Sequence, residues 1–263
     1  MTDRYAVIGH PVAHSKSPWI HARFAEQTGQ DIAYGTIDVP PDGFEAAVEA
    51  FRAAGGRGLN VTLPFKQAAF SYCAQLSERA RAAQAVNTLV FRERVFGDNT
   101  DGVGLVRDIE INVGVPLARK RILLMGAGGA AQGVASALLA AGASTLVIVN
   151  RTASKARELA ARVPGAQANA YGELAEGFDI VINATSAGLS GEPTALPSIV
   201  FGERTLAYEM VYGRETSFMQ AARQRGARVS DGLGMLVEQA AESFFLWRGV
   251  RPESRSVLAS LRG

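Results

Sequence analysis

The segment RILLMGAGGAAQGVASALLAAGASTLVIVNRT, residues 121–152, decides the fold. An apolar run ends at Met125, a glycine-rich turn follows, and an alanine-rich stretch leads to a second apolar run that ends at Val149. Strand, glycine turn, helix and strand in this order are typical of a parallel βαβ unit. Further strands are expected near Ala166 and over residues 178–185, 205–211 and 227–232. This part of the chain is therefore predicted to form a doubly wound, Rossmann-type parallel sheet.

The glycine turn has the spacing of a dinucleotide-binding loop, G-x-G-x-x-A, with Ala131 in the third position. Glycines permit a tight turn and let the backbone approach a pyrophosphate at the helix N-terminus. The pattern alone is weak, and a turn that serves only helix–sheet packing is the alternative. The strand before it and the helix after it favour a nucleotide site. The predicted cofactor ligands in this loop are Gly126, Ala127, Gly128, Gly129 and Ala130.

The end of the second strand indicates which nucleotide binds. An NAD site has an acidic side chain there for the ribose hydroxyls. This chain has Asn150, Arg151 and Thr152 instead, with Lys155 one turn later. A carboxylate would repel a 2′-phosphate, whereas an arginine pairs with it and stacks on adenine. NADP(H) is therefore favoured over NAD, the alternative being that Thr152 only caps a helix and Arg151 is only solvated.

The first hundred residues are predicted to form a second α/β domain. Apolar strands are expected at 5–10, 31–39 and 56–62, and a hairpin at 85–99. Helices are expected at 18–29, 43–54 and 64–76, with the last continuing through 79–84, and a long helix is expected at 102–113. The predicted layout is an N-terminal substrate domain with a mixed sheet, residues 1–101 plus 234–263. The predicted NADP domain covers residues 102–233, with a cleft between the two domains.

Composition excludes several classes of protein. The chain has 263 residues, a formal net charge of +2 and no basic stripe, so neither a nucleic-acid nor a membrane-surface partner is expected. Cys73 is the only cysteine, and it is expected to be a small buried apolar residue in a helix. The N-terminus does not have the pattern of a signal peptide, so a cytoplasmic protein is expected. The histidines lack metal-ligand spacing, and no metal is expected.

Two residues are candidates for proton chemistry. Lys66 ends the motif NVTLPFK, in the first turn of an expected helix, where the helix dipole disfavours its charged form. Only four lysines occur in the chain, which argues against a casual surface lysine. Asp101 is a good helix N-cap, and it is also a candidate partner for Lys66. The sequence alone does not bring these two residues together.

The segment Ser15-Lys16-Ser17-Pro18 has two interpretations. Ser17 as a cap and Pro18 in the first turn are ordinary features of a helix start. They do not explain Ser15, so the same loop is a candidate anion site. Lys16 is assigned at most electrostatic support for a negatively charged substrate.

Eight motifs occur in one order along the chain. They are HSKSP (14–18), NVTLPFK (60–66), AVNT (85–88), GDNTDG (97–102), GAGGAA (126–131), NRT (150–152), NATS (183–186) and DGLGMLVEQA (231–240). Together they resemble the shikimate dehydrogenase family over essentially the whole chain. The resemblance implies NADPH-dependent reduction of 3-dehydroshikimate to shikimate, in chorismate and aromatic amino acid biosynthesis. A monomer or homodimer is expected.

The resemblance also implies roles for particular residues. Lys66 and Asp101 would be the catalytic pair, with Lys66 exchanging the proton and Asp101 orienting it and binding ring hydroxyls. The remaining substrate ligands would be Ser15, Ser17, Thr62, Asn87, Tyr212 and Gln239. Met210 and Gly232 would join the nucleotide loop and residues 150–155 in lining the cofactor. The neutral hydrogen-bonding groups in this set suit a polyhydroxylated acid.

The chain departs from the family pattern in three places: at His10, at Glu209 and at the pair Thr216-Ser217. They leave the geometry near Met210 and Tyr212 open. The nearest alternative function is a paralogue acting on quinate or an amino-shikimate. A catalytically inactive NADP-binding sensor would be expected to lack Lys66 or Asp101. Enzymes similar to glutamyl-tRNA reductase or methylene-tetrahydrofolate dehydrogenase share the layout, but not the HSKSP and DGLGMLVEQA motifs.

Overall fold

The computed structural model describes residues 2–185 and 196–263; Ser186, the last residue of the NATS motif, lies outside them. The chain forms two compact units, Met1–Gly104 with Val237–Gly263, and Leu105–Leu236. Each division lies three residues after the boundary expected from the sequence, at 101 and at 233. Their roles as substrate and NADP domains stay a prediction.

The first unit is built on a mixed six-stranded sheet. Its strands are β1 (Asp3–Gly9), β2 (Ile32–Asp38), β3 (Gly56–Val61), β4 (Gln75–Leu76), β5 (Thr88–Phe91) and β6 (Val95–Asp98), in the order β2-β1-β3-β5-β6-β4. β5 runs antiparallel to β3 and to β6, and the other pairings are parallel. Its helices are α1 (Ser17–Thr28), α2 (Phe44–Ala53), α3 (Lys66–Tyr72) and α4 (Glu78–Ala83). It also includes the start of α5 (Asp101–Arg107).

The second unit is built on a six-stranded sheet in which all pairings are parallel. Its strands are β7 (Arg121–Met125), β8 (Thr145–Val149), β9 (Ala166–Ala168), β10 (Ile180–Asn183), β11 (Leu206–Glu209) and β12 (Arg228–Ser230). Its helices are α6 (Gly129–Ala140), α7 (Ala153–Arg162) and α8 (Ser217–Gln224). Two helices follow: α9 (Leu233–Arg248), which crosses the division between the units, and α10 (Ser254–Arg262), which belongs to the first.

The strand order of the second sheet, β12-β11-β10-β7-β8-β9, is that of a doubly wound dinucleotide-binding fold. Successive residues of β7 pack on opposite faces: Ile122 and Leu124 belong to one apolar cluster, Leu123 and Met125 to another. Both faces are therefore covered, as a parallel sheet requires. The expected α/β fold class, with one mixed and one Rossmann-type sheet, is confirmed.

Two expected helices are wrong in detail. The helix predicted over 64–84 is interrupted, because Cys73 adopts an extended conformation and β4 then pairs with β6. Ser77 starts α4 by accepting a hydrogen bond from the Ala80 N–H at 3.0 Å. Cys73 is therefore half-buried just past a helix end, not inside a helix, and burial raises the pKa of its thiol to about 12.

The helix predicted over 102–113 changes its winding half-way. α5 ends at Arg107, and a π-helical turn, Asp108–Asn112, follows. The Tyr208 hydroxyl donates to Asp108 Oδ2 at 2.6 Å, and Asn112 Nδ2 donates to Oδ1 at 3.0 Å. Hydrogen bonds to the buried Asp108 carboxylate thus hold the wider π-helical turn in place. In the part of the chain that the structure describes, no helix has the length and apolarity to cross a membrane.

Candidate active site

Polar side chains gather at one edge of the first unit's sheet. The carboxyl ends of β3 and β6 lie at this edge, and so does the amino end of β5, because β5 runs in the opposite direction. The helices that follow β3 and β6, α3 and α5, begin with Lys66 and Asp101, and the residue before β5 is Asn87. Sheet polarity therefore brings together three residues that are far apart in sequence.

Lys66 and Asp101 form a direct ion pair. Lys66 Nζ donates to Asp101 Oδ2 at 2.5 Å, and the two side chains are 20% and 8% exposed. Lys66 is the first residue of α3, as expected. Asp101 is the first residue of α5, so the expectation that it precedes the helix as an N-cap is wrong. Its own N–H is satisfied by Asn99 Oδ1 at 3.1 Å, which leaves the carboxylate for side-chain partners.

Asn87 holds the other oxygen of this carboxylate. Its Nδ2 donates to Asp101 Oδ1 at 2.8 Å and to Thr100 Oγ1 at 2.9 Å. Its Oδ1 accepts the Thr100 N–H at 2.8 Å. Gln239 Oε1, from α9, lies 3.4 Å from the same Nδ2. This approach of α9 requires a glycine on α5, since a Cβ at Gly104 would lie 2.7 Å from the Cβ of Gln239.

The two serines at the start of α1 do not have the capping roles that the sequence predicts. Lys16 occupies the N-cap position and Ser17 is the first helical residue, so Ser17 as the cap is wrong. Ser15 makes the local contact, because its Oγ accepts the Ser17 N–H at 3.2 Å. Ser15 is half-buried and Ser17 buried, whereas Lys16 is exposed. Thr62 follows β3, where its N–H donates to the Ile8 carbonyl at 3.0 Å.

The nucleotide loop of the second unit has the shape that a pyrophosphate requires. Gly126 has φ +116°, and a Cβ there would lie 3.0 Å from the Ala184 carbonyl oxygen, so only glycine fits. An added Cβ at Gly128 or Gly129 would meet none of the residues that the structure describes within 4 Å. The N-cap of α6 is Gly128, which has no side chain to cap this end. Free N–H groups in open space at a helix N-terminus fit an anionic phosphate.

The residues after β8 fit a second phosphate. Arg151, Thr152 and Lys155 are exposed, and the first turn of α7 has no acidic residue. Thr152 occupies the N-cap position, but its side chain makes no capping hydrogen bond. Two cations at the positive end of a helix are unfavourable unless an anion joins them. Asn150 is fixed by a hydrogen bond from its Nδ2 to the Thr152 carbonyl at 3.0 Å.

Met210, Tyr212 and Gly232 lie close in sequence to the carboxyl ends of β11 and β12. The Met210 N–H donates to the Asn183 carbonyl at 3.0 Å, which continues the sheet pairing. A Cβ added at Gly232 would collide with the Met210 carbonyl. The close approach of these two backbone segments therefore requires glycine at position 232. Tyr212 is half-buried in this unit, and burial raises the pKa of its hydroxyl.

Two residues that depart from the family pattern, Glu209 and Thr216, contact each other in one buried cluster. Glu209 Oε2 accepts from Asn183 Nδ2 and from the Thr216 hydroxyl, both at 2.8 Å. Its Oε1 accepts the Val211 N–H at 3.2 Å. Burial raises the pKa of Glu209, and these hydrogen bonds partly oppose the rise. Thr216 also caps α8, so the helix keeps a proper start with Ser217 in its first position.

The three histidines have different surroundings. His10 Nδ1 lies 2.7 Å from Asp38 Oδ1 at the surface, and His14 is exposed. His21 is buried and stacks on Tyr34 with ring centroids 4.2 Å apart; burial lowers its pKa to about 3. Over residues 2–185 and 196–263, no group of three or more histidine, cysteine, aspartate or glutamate side chains is arranged to hold a metal ion.

Five residues near the ion pair were not identified as site residues from the sequence. They are Tyr34, Asn60, Thr88, Thr100 and Ser243, which connect to Asn87 through buried hydrogen bonds. Spacing could have indicated two of them. Asn60 lies two residues before Thr62, and Ser243 lies one helical turn after Gln239.

Family models match three parts of the chain. They describe the shikimate dehydrogenase substrate binding domain (residues 7–89), shikimate / quinate 5-dehydrogenase (109–190) and the shikimate 5′-dehydrogenase C-terminal domain (232–262). A relative from Methylobacillus flagellatus, named shikimate dehydrogenase (NADP(+)), is 57% identical over 99% of each chain.

Solved structures of other proteins are also similar to this chain over nearly its whole length. An Ael1 enzyme from Pseudomonas putida is 49% identical, with a TM-score of 0.95 and coverage of 99% of this chain and 98% of that one. Shikimate 5-dehydrogenase from Thermus thermophilus, in complex with NADP(H) and shikimate, is 37% identical, with a TM-score of 0.90 over 99% of each chain.

The Rossmann-type sheet and the match to a relative named shikimate dehydrogenase (NADP(+)) identify the chain as an NADP-dependent oxidoreductase. The chain belongs to the shikimate dehydrogenase family. The resemblance and the expected cofactor, NADP(H), are thereby confirmed.

Proposed function

We propose that this chain catalyses the reversible, NADPH-dependent reduction of 3-dehydroshikimate to shikimate, with Lys66 and Asp101 as its catalytic pair. The first unit would bind substrate and the second NADP(H). The observation that carries the proposal is the 2.5 Å hydrogen bond between Lys66 Nζ and Asp101 Oδ2 at a polar sheet edge. Stabilisation of the fold is a poor explanation for a lysine and a carboxylate held there, because a buried ion pair is weak evidence of stabilisation.

NADP(H), when bound, supplies the hydride for reduction of the ring ketone and accepts it in the reverse direction. Lys66 gives a proton to the carbonyl oxygen as it becomes a hydroxyl, and takes that proton back in the oxidation. Asp101 keeps the Lys66 ammonium directed at this oxygen through one carboxylate oxygen. Its other oxygen is held by Asn87.

The substrate is a carboxylate with ring hydroxyls, and the residues proposed to bind it have matching chemistry. Ser15 and Ser17 would bind the carboxylate near the start of α1. Thr62, Asn87, Tyr212 and Gln239 would hydrogen-bond the carboxylate or the hydroxyls. Because such a site leaves its own polar groups unpaired when a hydroxyl is missing, it rejects analogues that lack one.

The cofactor would be held by the residues whose geometry fits it. Gly126, Ala127, Gly128, Gly129 and Ala130 would bind the pyrophosphate. Asn150, Arg151, Thr152 and Lys155 would bind the adenosine end and its 2′-phosphate. Met210 and Gly232 would also line the cofactor.

The second candidate is an enzyme that also oxidises quinate, since one matching family model is described as shikimate / quinate 5-dehydrogenase. Quinate carries an extra hydroxyl at the carboxylate-bearing carbon. Thr62 and Arg151 favour shikimate and NADP over quinate and NAD.

The decisive experiment measures NADP reduction by the purified chain with shikimate and with quinate, and repeats both with NAD. Shikimate with NADP should be the preferred pair. Absence of shikimate oxidation would overturn the function. Lys66→Ala should lower kcat by about 10²–10⁴-fold with little change in NADP affinity, as expected for loss of a general acid. Lys120→Ala is the matched control, because Lys120 pairs with Asp179 at 3.0 Å and has no proposed role. Normal turnover by Lys66→Ala would overturn the catalytic pair.

A further inference from the structure

A continuous chain of buried hydrogen bonds leads from Tyr34 to Asp101. Most of its members are almost inaccessible: Thr88 and Ser243 are 0% exposed, Asn87 2% and Asn60 6%. The links measure 2.7 Å from Tyr34 to Asn60, 2.9 Å from Asn60 to Ser243 and 2.8 Å from Ser243 to Thr88. The last two are 2.9 Å from Thr88 to Asn87 and 2.8 Å from Asn87 to Asp101.

The direction of this chain is determined at Asn87 by two groups of fixed polarity. The Thr100 N–H can only donate, and it points at one atom of the Asn87 amide from 2.8 Å. An ionised Asp101 can only accept, and it faces the other atom. Asn87 must therefore present Oδ1 to Thr100 and Nδ2 to Asp101.

The neighbouring hydroxyls follow from this orientation. The Thr88 hydroxyl lies 2.9 Å from Asn87 Oδ1, which is an acceptor, so Thr88 donates its single proton there. The Thr88 oxygen then contacts the Ser243 hydroxyl at 2.8 Å, and the single proton of Ser243 has two acceptors, Thr88 Oγ1 and the Gln239 backbone carbonyl at 3.0 Å. Ser243 in turn accepts from Asn60 Nδ2 at 2.9 Å.

The far end of the chain has the same direction. Asn60 Nδ2 also donates to the Asn87 backbone carbonyl at 3.2 Å, which fixes its amide. Its Oδ1 therefore accepts from the Tyr34 hydroxyl at 2.7 Å. Burial raises the pKa of Tyr34 well above its ordinary value, so this hydroxyl stays a donor. Every link from Tyr34 to Asp101 other than the Ser243–Thr88 contact thus runs donor to acceptor toward the carboxylate.

We propose that Thr88 is a positioning residue, whose hydroxyl locks the Asn87 amide so that Asn87 holds Asp101 in line with Lys66. This inference rests on the proposed role of the Lys66–Asp101 pair. Without the Thr88 hydroxyl, Asn87 Oδ1 keeps Thr100 as a donor but loses the link that ties it to Ser243 and Asn60. The Asp101 carboxylate is then held less firmly, and proton transfer by Lys66 suffers more than binding of substrate or cofactor.

The test compares Thr88→Val with Thr88→Ser. Valine keeps the volume but removes the hydroxyl, and we expect kcat for shikimate oxidation to fall about tenfold, the order that one buried hydrogen bond contributes. The KM for NADP should stay within about twofold, because NADP touches neither Thr88 nor Asn87 in this proposal, and the KM for shikimate should rise by a smaller factor than the fall in kcat. Serine keeps the hydroxyl and should restore kcat to within about threefold of wild type.

Thr205→Val is the matched control. Thr205 is also buried, and its hydroxyl donates to the Phe178 carbonyl at 3.1 Å in the second unit. It should lower the melting temperature and leave kcat unchanged. If Thr88→Val does not fold, Ser243→Ala carries the test, because it removes the group that holds the Thr88 oxygen; kcat should then fall about threefold.

The outcomes separate this inference from the proposed function. If wild type oxidises shikimate and Lys66→Ala does not, the catalytic pair stands. A normal kcat for Thr88→Val, or for Ser243→Ala where it is the variant used, then overturns the positioning role alone. Equal kcat losses in Thr88→Val and Thr88→Ser also overturn it, since they would indicate packing as the cause.

Discussion

Arg151 is predicted to give the enzyme its preference for NADP over NAD. The residue follows β8 and is exposed, and Lys155 is exposed one turn into α7. No acidic residue lies in the first turn of α7 to neutralise these cations. A guanidinium that pairs with the 2′-phosphate contributes about 1.5–3 kcal/mol, the usual range for a hydrogen bond to a charged group. Because Arg151 is exposed and screened by salt, the lower half of this range is expected, which corresponds to about 10- to 40-fold in affinity.

Arg151→Ala should therefore raise the KM for NADPH about 10- to 40-fold and change the KM for NADH less than about threefold. Initial rates with 3-dehydroshikimate and each cofactor measure both values. The difference should shrink at high salt, since Arg151 is a surface cation. Arg157→Ala is the matched control, because Arg157 is an exposed arginine further along α7. Equal losses for NADPH and NADH would refute the phosphate contact, and so would an equal effect of Arg157→Ala.

Two further predictions concern substrate affinity and acid stability. Ser15→Ala should raise the KM for shikimate about tenfold, since it removes one hydrogen bond to a carboxylate, while kcat stays near wild type; an unchanged KM would contradict the carboxylate site. Arg79→Met should lower the free energy of unfolding near neutral pH by roughly 2–4 kcal/mol, as measured in urea, because it removes the arginine that pairs with buried Asp98 and leaves Glu242 with Arg251 alone. Burial raises the pKa of Asp98, but the Arg79 guanidinium and the Ser77 hydroxyl outweigh it, so the folded pKa lies below the ordinary value. Wild type should therefore lose stability as pH falls below about 4, and Arg79→Met should lose less over that range; identical pH slopes would count against this ion pair.

The parts of the fold that depend on local pattern could be predicted from the sequence. Residues 121–152 carry strand, glycine turn, helix and strand in one continuous segment, and the structure has all four. The errors arise where tertiary contacts override local preference. Residues 75–76 pair with β6 instead of extending a helix, and Asp108 is held by the distant Tyr208 at the point where α5 becomes a π-helical turn.

The sequence allowed a set of candidate site residues to be proposed, but it did not predict how the fold arranges them. Lys66 and Asp101 are separated by 35 positions, and nothing between them indicates a contact. Their meeting depends on β5 running antiparallel between β3 and β6, which places the start of β5 beside the ends of its neighbours. A sequence pattern predicts a hairpin at 85–99, but not the strand on which that hairpin docks.

Asn87 illustrates why hydrogen-bond roles lie beyond the sequence. Its type and motif predict a substrate ligand, yet its amino group already has two acceptors, Asp101 Oδ1 and Thr100 Oγ1. The orientation of the amide depends on a backbone N–H from another segment and on a hydroxyl chain that starts at Tyr34. A polar side chain therefore acquires its role from the donors and acceptors that the fold places around it. For the same reason, a residue without any reactive chemistry, such as Thr88, is proposed here to determine how firmly the Asp101 carboxylate is held.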